Sequence, residues 1–480
     1  MNQETLLFCL VAVPLFGSLL LPVLGKFGDH VRNLVALGLM LFSLAMSCAL
    51  LPSIADGQIV TVALGGFNLF YADKLAIFMA LVSQVVGSII ILYSFGYVSH
   101  YEHKDEYYFM VVMFLAAMMG LVFSSTLLGI YFFWEITAIA CWRLIGFFRE
   151  KEYVLRADKA FLMTVFGALM MLCGFLMVYD QTGSFDLQAI KAYCVNNGGI
   201  SNWAILFILF GILSKSATLP LHTWLPDAGV APSPVTALLH AAVLVKIGVY
   251  VFVRLFVASF AIDPVWWSIV PWIAAVSALV SAGAALRETD IKRIIAYSTV
   301  SQLAFILLGL AIGNGVGIAG GLLYILMHGI AKGGLFLCAG VVEHKTHNKD
   351  IMKMGGLIKT MPITAVSFAL CAFSVMGIPP FGGFFSKYMV IAGAVREQQF
   401  WLSAVFIVGA FLTLIYLMRV FTLVFLGSSR ADEEHSAPKE GSFVMVFSVA
   451  LLAALSLLSG VLIRPPLQFV EGAISQIFGK

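Results

Sequence analysis

The chain has 480 residues, 61% of them apolar and 11% charged, with a mean hydropathy of +1.00 and a formal net charge of +3. Soluble globular proteins carry roughly 45–50% apolar and about 25% charged residues, so the composition excludes a water-soluble enzyme and a disordered chain. The small net charge gives no reason to expect nucleic acid as a partner.

A bilayer span takes roughly 20 apolar residues, so this length holds about 14 spans and little else. The seven cysteines (9, 48, 141, 173, 194, 338 and 371) form no Cys-x-x-Cys motif. No disulfide frame, zinc site, iron–sulfur cluster or other cofactor is therefore expected. The first apolar run begins close to Met1 without a basic lead, and reads as a span rather than a cleaved signal.

Apolar periodicity predicts helices at about 4–24, 31–52, 72–96, 107–124, 126–148, 160–180, 203–222, 231–256, 265–286, 292–312, 318–342, 363–392, 400–428 and 442–463. The expected fold is an all-α polytopic membrane protein forming a single transmembrane domain over residues 1–480. Leading helices 1–3 occupy about 1–106, a first repeat 107–256, a second repeat 265–428, and the last helix with the C-terminus 442–480.

The loops after odd-numbered spans hold most of the basic residues: Lys26, Arg32, Lys104, Arg149, Lys151, Arg156, Lys159, Arg287, Lys292, Arg293, Lys345, Lys349, Lys353, Lys359, Arg430 and Lys439. The opposite loops and ends hold few, clearly Lys191, Arg396, Arg464 and Lys480. The positive-inside bias then puts the odd loops in the cytoplasm and both termini outside.

Two spans are interrupted by proline. One reads Lys215-Ser-Ala-Thr-Leu-Pro220-Leu-His-Thr-Trp-Leu-Pro226-Asp227, the other Gly377-Ile-Pro379-Pro380-Phe-Gly-Gly-Phe-Phe-Ser-Lys387. Proline removes a helix hydrogen bond, and irregular backbone at membrane depth is tolerated only against protein or a wet cavity. The breaks fall in spans 7 and 12. An odd offset reverses direction, so spans 4–8 and 9–13 are expected to be inverted repeats, with the breaks pointing to a transport site.

Ionisable residues stand inside apolar runs: Glu135, Lys215, His240, Lys246, His328, Lys332 and Lys387. Each charge at mid-membrane costs about 2.5–3.5 kcal/mol on insertion scales, so Glu135 and four lysines left unpaired would cost about 10–15 kcal/mol. They must therefore pair or meet internal water. A single buried ion pair is easily structural. A row of lysines and histidines with one acid is what a proton relay needs, because a desolvated lysine gives up its proton readily.

His328 and Lys332 are four residues apart and share a helix face. His240 and Lys246 are six apart, about 120° off, so water would have to join them. The spacing says nothing about how Glu135 and Lys215 pair.

Other polar positions carry less. His344-x-x-His347 and the His100, His103 pair lie in charged loops without further ligands, so no metal site is expected. Asp73-Lys74 reads as a snorkelling interfacial pair. Asp227 follows a break and is placed to cap the next helix. Arg287, Asp290, Lys292 and Arg293 read as a cytoplasmic rim, and Trp266, Trp267 and Trp272 as interfacial anchors.

Phe133-Trp-Glu135-Ile, Lys215–Ala228, Ala231–His240, Val245-Lys246-Ile-Gly248, Asp290–Gln302 and Gly377–Lys387 together carry a specific resemblance. The chain resembles the antiporter-like subunits shared by respiratory complex I, Mrp-type cation/proton antiporters and membrane-bound NiFe-hydrogenases. The resemblance covers spans 4 to 13.

It implies that Glu135 pairs with Lys215 and tunes its proton affinity. Lys246, with His240 nearby, is then the central relay. His328 and Lys332 continue the axis, and Lys387 sits toward the exit half-channel, where some members carry glutamate. It further implies a prokaryotic inner membrane, other hydrophobic and antiporter-like subunits, and a peripheral redox arm as partners. Arg143, eight residues after Glu135 and turned about 80° from it, departs from the pattern, which has a small or apolar residue there.

The sequence runs about 17 residues past the last span, so the long lateral helix of the distal complex I subunit is not expected. The run Phe123–Thr137 looks most like hydrogenase-4-type subunits. The leading expectation is thus a proton-translocating, non-redox subunit of a redox complex of hydrogenase or complex I type. An Mrp-type Na+/H+ antiporter subunit, a stand-alone solute/H+ transporter, a scaffold with a silenced channel and a membrane partner for inorganic-carbon uptake are the alternatives.

Overall fold

The computed structural model describes residues 2–428 and 439–479. Arg430, most of the loop at 430–440 and Lys480 lie outside them.

Among the described residues the regular structure is helical apart from one hairpin. It runs α1 (Gln3–Ser18), α2 (Asp29–Ala55), strands β1 (Val60–Leu64) and β2 (Phe67–Ala72), α3 (Lys74–Tyr97), α4 (Lys104–Phe123), α5 (Leu127–Ile145) and α6 (Lys151–Thr182). Then follow α7 (Leu187–Asn197), α8 (Asn202–Lys215), α9 (Ser233–Val257), α10 (Val265–Arg287), α11 (Ile291–Ala311) and α12 (Gly315–Thr346). The last elements are α13 (Pro362–Met376), α14 (Gly382–Arg396), α15 (Phe400–Leu426), α16 (Phe443–Val461) and α17 (Arg464–Phe478). Among the described residues, 11 helices are long and apolar enough to cross a membrane, or 12 if the bent pair at the N-terminus is one span.

A short hairpin interrupts the otherwise helical fold between α2 and α3. Its antiparallel register runs from Val60↔Ala72 to Leu64↔Phe67. Gly65 and Gly66 both take positive φ (60° and 85°), which a two-residue turn requires and glycine supplies without strain.

The two proline segments break their helices, and earlier than the apolar runs implied. α8 stops at Lys215, not near 222. Pro220 has no N–H for the carbonyl of Ser216, and it disfavours helical backbone at Leu219. The freed groups find partners: Ser277 Oγ accepts from Leu219 N at 2.9 Å, and the Trp224 indole donates to Ser214 O at 3.0 Å. Pro226 lies in the short turn Trp224–Asp227 beyond the break. The helix expected over 363–392 is two helices, separated at Gly377 to Phe381 around Pro379 and Pro380. Both breaks carry a cis X–Pro bond, Leu219–Pro220 and Pro379–Pro380.

Burial decides where the site lies. The apolar windows of α9, α11 and α12 are 100%, 94% and 94% buried, against 28% for α2 and 39% for α6. The three central helices are thus shielded by the rest of the bundle. Close packing around them uses glycine. A Cβ on Gly248 of α9 would lie 2.7 Å from Ile212 O and 2.8 Å from Ser216 N, so only glycine lets α9 touch the broken end of α8.

Candidate functional site: a buried row of lysines and histidines

α9 begins at Ser233, beside Glu343 and Lys292, and its helix is not regular. Leu238–Ala242 forms a π-turn, and Val243 leaves helical backbone at φ −132° and ψ −74° before the helix resumes. π-turns and mid-helix breaks re-aim side chains and free carbonyls. Here Lys246 Nζ donates to the carbonyl of Ala241, and Ser83 Oγ donates to that of Ala242 at 3.2 Å.

α12 runs antiparallel to α9 and supplies the facing groups. His240 packs against Phe336 with ring centroids 4.4 Å apart, and Lys246 Nζ lies over Gly329. His328 and Lys332 share one face of α12, as their spacing requires. Lys332 Nζ donates to Ile295 O at 3.0 Å and to Ser298 Oγ at 2.6 Å on α11. His240, Lys246, His328 and Lys332 are all fully buried. His328 packs edge-on against Tyr324, with ring centroids 6.0 Å apart. Both ring nitrogens of His240 and of His328 lack a protein partner. A buried ring nitrogen with no protein partner is free to take a water or a proton.

Lys387 lies on α14, beyond the second break. Its Nζ donates to Val375 O at 2.7 Å. In a continuous helix that carbonyl would accept from residue 379, but Pro379 has no N–H to give. The ammonium also faces Phe305 at 4.6 Å and Tyr324 at 5.7 Å. Tyr324 donates to Gln302 Oε1 at 2.6 Å, and Gln302 donates to Thr413 Oγ1 at 3.1 Å. Tyr416 donates to Ser298 Oγ at 2.9 Å, so the surroundings of Lys387 and Lys332 are linked through α11, α12 and α15.

Glu135 and Lys215 come to neighbouring helices without forming a direct ion pair. Lys215 Nζ donates to Trp134 O at 3.3 Å and faces the Trp134 ring at 5.2 Å. Glu135 Oε1 is buried with no hydrogen-bond partner. Arg143 does not compete for Glu135. It turns outward and pairs with Glu106, whose carboxylate also takes Arg149 at 2.6 Å.

Three polar readings change. Asp73 does not pair with Lys74. It caps α3 through Ala76 N at 2.8 Å and forms a buried bidentate pair with Arg254, at 2.6 and 2.7 Å. Arg254 stands near the end of an apolar run, and nothing in the local sequence points to its partner. Asp227 caps no helix. It joins α6 and α11 through Lys159 at 2.7 Å and Arg293 at 2.9 Å. Burial opposes its charge, and the two cations outweigh that, holding its carboxyl below the ordinary value. Lys292 is not on a rim. It is 1% exposed and bonds Ala231 O at 2.9 Å and Glu343 at 3.1 Å.

The family model for the membrane region of NADH:quinone oxidoreductase and Mrp antiporters matches residues 124–413, and a model for the N-terminus of complex I chain 5 matches residues 67–108. A Na(+)/H(+) antiporter subunit A1 of Staphylococcus aureus is 30% identical over 489 residues, covering 95% of this chain and 61% of that protein. The chain thus spans less than two thirds of that curated relative. The fold is similar to a chain of the Mrp complex from Dietzia sp., with a TM-score of 0.91, 22% identity, and 100% and 98% coverage of the two chains. It is also similar to a chain of the membrane-bound sulfane sulfur reductase, an archaeal respiratory membrane complex, with a TM-score of 0.90, 25% identity, and 98% and 97% coverage. These relatives do not single out the hydrogenase-4 branch.

Proposed function

The chain belongs to the NADH:quinone oxidoreductase/Mrp antiporter membrane family, and on that premise we propose that it is a proton-translocating, antiporter-like subunit of a larger energy-converting membrane complex. The observation that carries the proposal is the row itself. Lysines 246, 332 and 387 sit buried on neutral acceptors, with unpartnered histidines between them. A carbonyl or hydroxyl stabilises an ammonium without a full countercharge, so the proton can leave without stranding an unpaired carboxylate. Glu135 and Lys215 form the first stage beside this row, Lys215 resting on the carbonyl of Trp134, the residue next to Glu135. Rearranging that pair biases Lys246, and the bias passes along the row in the membrane plane.

In this reading, the two broken segments complete fourteen spans, and spans 4–8 (107–256) and 9–13 (265–428) are inverted repeats. Residues 1–106 lead and 442–480 follow. The bias of basic residues supports cytoplasmic odd loops and external termini in a prokaryotic inner membrane. Partners are hydrophobic subunits, further antiporter-like subunits among them.

A second reading is a Na+/H+ antiporter subunit of Mrp type. It is supported by the named function of the Staphylococcus aureus relative and by the Mrp-complex fold. The same relay residues serve both readings.

Lys246→Ala tests the relay. Coupled transport by the purified complex in vesicles should fall by at least about two orders of magnitude, while the complex assembles normally. Wild-type transport by a fully assembled variant would reject the assignment.

A further inference from the structure

A cavity of about 740 Å³ opens on the face that carries the basic loops. Its walls include Tyr97, His100, Val230, Ala231, Glu343 and His344, drawn from the ends of α3 and α12 and the loop before α9. Three histidines reach it, at 100, 344 and 347, and His344 Nδ1 is buried without a partner. No group of three or more His, Cys, Asp or Glu among the described residues is arranged to hold a metal ion.

Glu343 is the acid at the inner end of this cavity, and it faces inward. Its Oε2 accepts from Ser233 Oγ at 3.0 Å and from Lys292 Nζ at 3.1 Å, and Lys349 Nζ meets Oε1 at 3.1 Å. Tyr97 OH donates to Ser233 Oγ at 3.3 Å and closes one side. Ser233 opens α9, and His240 stands two turns deeper on the same helix, about 10 Å along its axis. Phe336 stands two turns below Glu343 on α12 and packs on the His240 ring. The antiparallel pairing of α9 with α12 thus sets Glu343 and Ser233 directly outside His240.

We propose that Glu343, held by Lys292 and Ser233, is the proton-loading site through which the cavity on the basic face supplies His240. The inference rests on the proton-translocating reading above. The step is a plain proton transfer. A carboxylate oxygen of Glu343 gains a proton from cavity water, and Lys292 keeps its charge. The Glu343 O–H bond then breaks as an N–H bond forms on a free ring nitrogen of His240, with water as the carrier. The imidazolium next gives its proton to a neutral Lys246 amine. The charged and titratable groups around Glu343 come from every neighbouring element: Lys292 and Asp290 at the start of α11, His344 and Lys345 at the end of α12 with His347 and Lys349 just after it, and Tyr97 at the end of α3 with His100 and Tyr101 just after it. Glu150 and Tyr153 at the start of α6 complete the ring.

A purely structural ion cluster is the competing explanation, and a pH profile separates the two. In vesicles holding the purified complex, Glu343→Gln should lower proton transport at least about tenfold and flatten its pH dependence, with Glu343→Asp restoring much of both. An assembled Glu343→Gln complex with wild-type rates and pH profile would overturn the proposal, provided Lys246→Ala still abolishes transport. If Lys246→Ala also transports normally, the relay reading itself has failed.

A second test does not depend on the glutamate variants folding. In a complex carrying Val230→Cys, transport is measured before and after a bulky, membrane-impermeant thiol reagent is added on the basic face. Transport should then fall at least about tenfold, while the treated wild type is unaffected. Unchanged transport after full labelling would equally overturn the proposal.

Discussion

Lys387 and Asp73 are both buried charged residues, yet their partners differ in kind. Lys387 rests on Val375 O, a carbonyl that Pro379 leaves without a backbone donor. A dipole holds the ammonium but does not balance it. Asp73 meets the full charge of Arg254 through two parallel hydrogen bonds. Bidentate pairs of this kind are strong and geometrically specific, and removing one partner of a buried pair costs about 3–5 kcal/mol. The first arrangement suits a proton that must move, the second a lock between α3 and α9.

Asp73→Leu should therefore lower the thermal midpoint of the purified complex sharply, by the equivalent of about 3–5 kcal/mol. An unchanged midpoint at neutral pH would reject the lock. The sign with pH follows from the carboxyl itself. Burial works against the Asp73 charge and Arg254 outweighs it, so its pKa lies below the ordinary 3.8. A depressed carboxylate stabilises above its unfolded pKa and loses that contribution as pH falls through the folded value. The lock should hold through neutral and mildly acidic pH and fail only in strong acid.

At the scale of elements, the proline segments show how far a local pattern reaches. Pro220 and Pro379–Pro380 announce broken helices, and both occur. The sequence places the breaks at the prolines, but α8 ends at Lys215 because the carbonyls and backbone angles of the preceding turn are already compromised. The hairpin had a visible signal in Gly65-Gly66 between alternating residues, overshadowed by the apolar runs on either side. The stretch after the last predicted span forms a further helix, α17. It packs across the start of α3, where Gln476 Oε1 accepts from Lys74 N at 2.9 Å. The contact of α9 with the broken end of α8 makes a sharper prediction. Gly248→Ala puts a methyl against Ile212 O and Ser216 N, which are backbone and cannot step aside. Overpacking of this kind costs about 1–3 kcal/mol, and reduced assembly or a lower thermal midpoint should follow. Wild-type stability would mean that the two helices do not approach so closely.

For the whole molecule, the outward faces are as apolar as the interior. Leu162, Phe166 and Leu169 on α6 and Ile407 and Phe411 on α15 are exposed. Such faces need lipid or other subunits around them. Gentle purification from the native membrane followed by mass spectrometry of the intact complex should recover further hydrophobic subunits. Companions limited to small hydrophobic Mrp-like subunits would favour sodium/proton exchange, and a peripheral redox arm would favour redox-driven pumping. A chain that purifies alone and still transports would reject membership of a larger assembly.

Composition and periodicity were enough to establish a helical, multi-pass protein with charged residues buried in its spans, because hydropathy and proline chemistry act locally along the chain. Buried lysines and histidines stand out in an apolar run whatever the fold. The tertiary structure decided their partners. It put Lys215 on the Trp134 carbonyl rather than on Glu135, drew Lys292 from an apparent rim onto Glu343, and joined Asp73 to Arg254 across 181 residues. Such pairings depend on helix depth, rotation and backbone irregularities such as the Leu238–Ala242 π-turn. These are properties of packing between segments, and no local spacing encodes them.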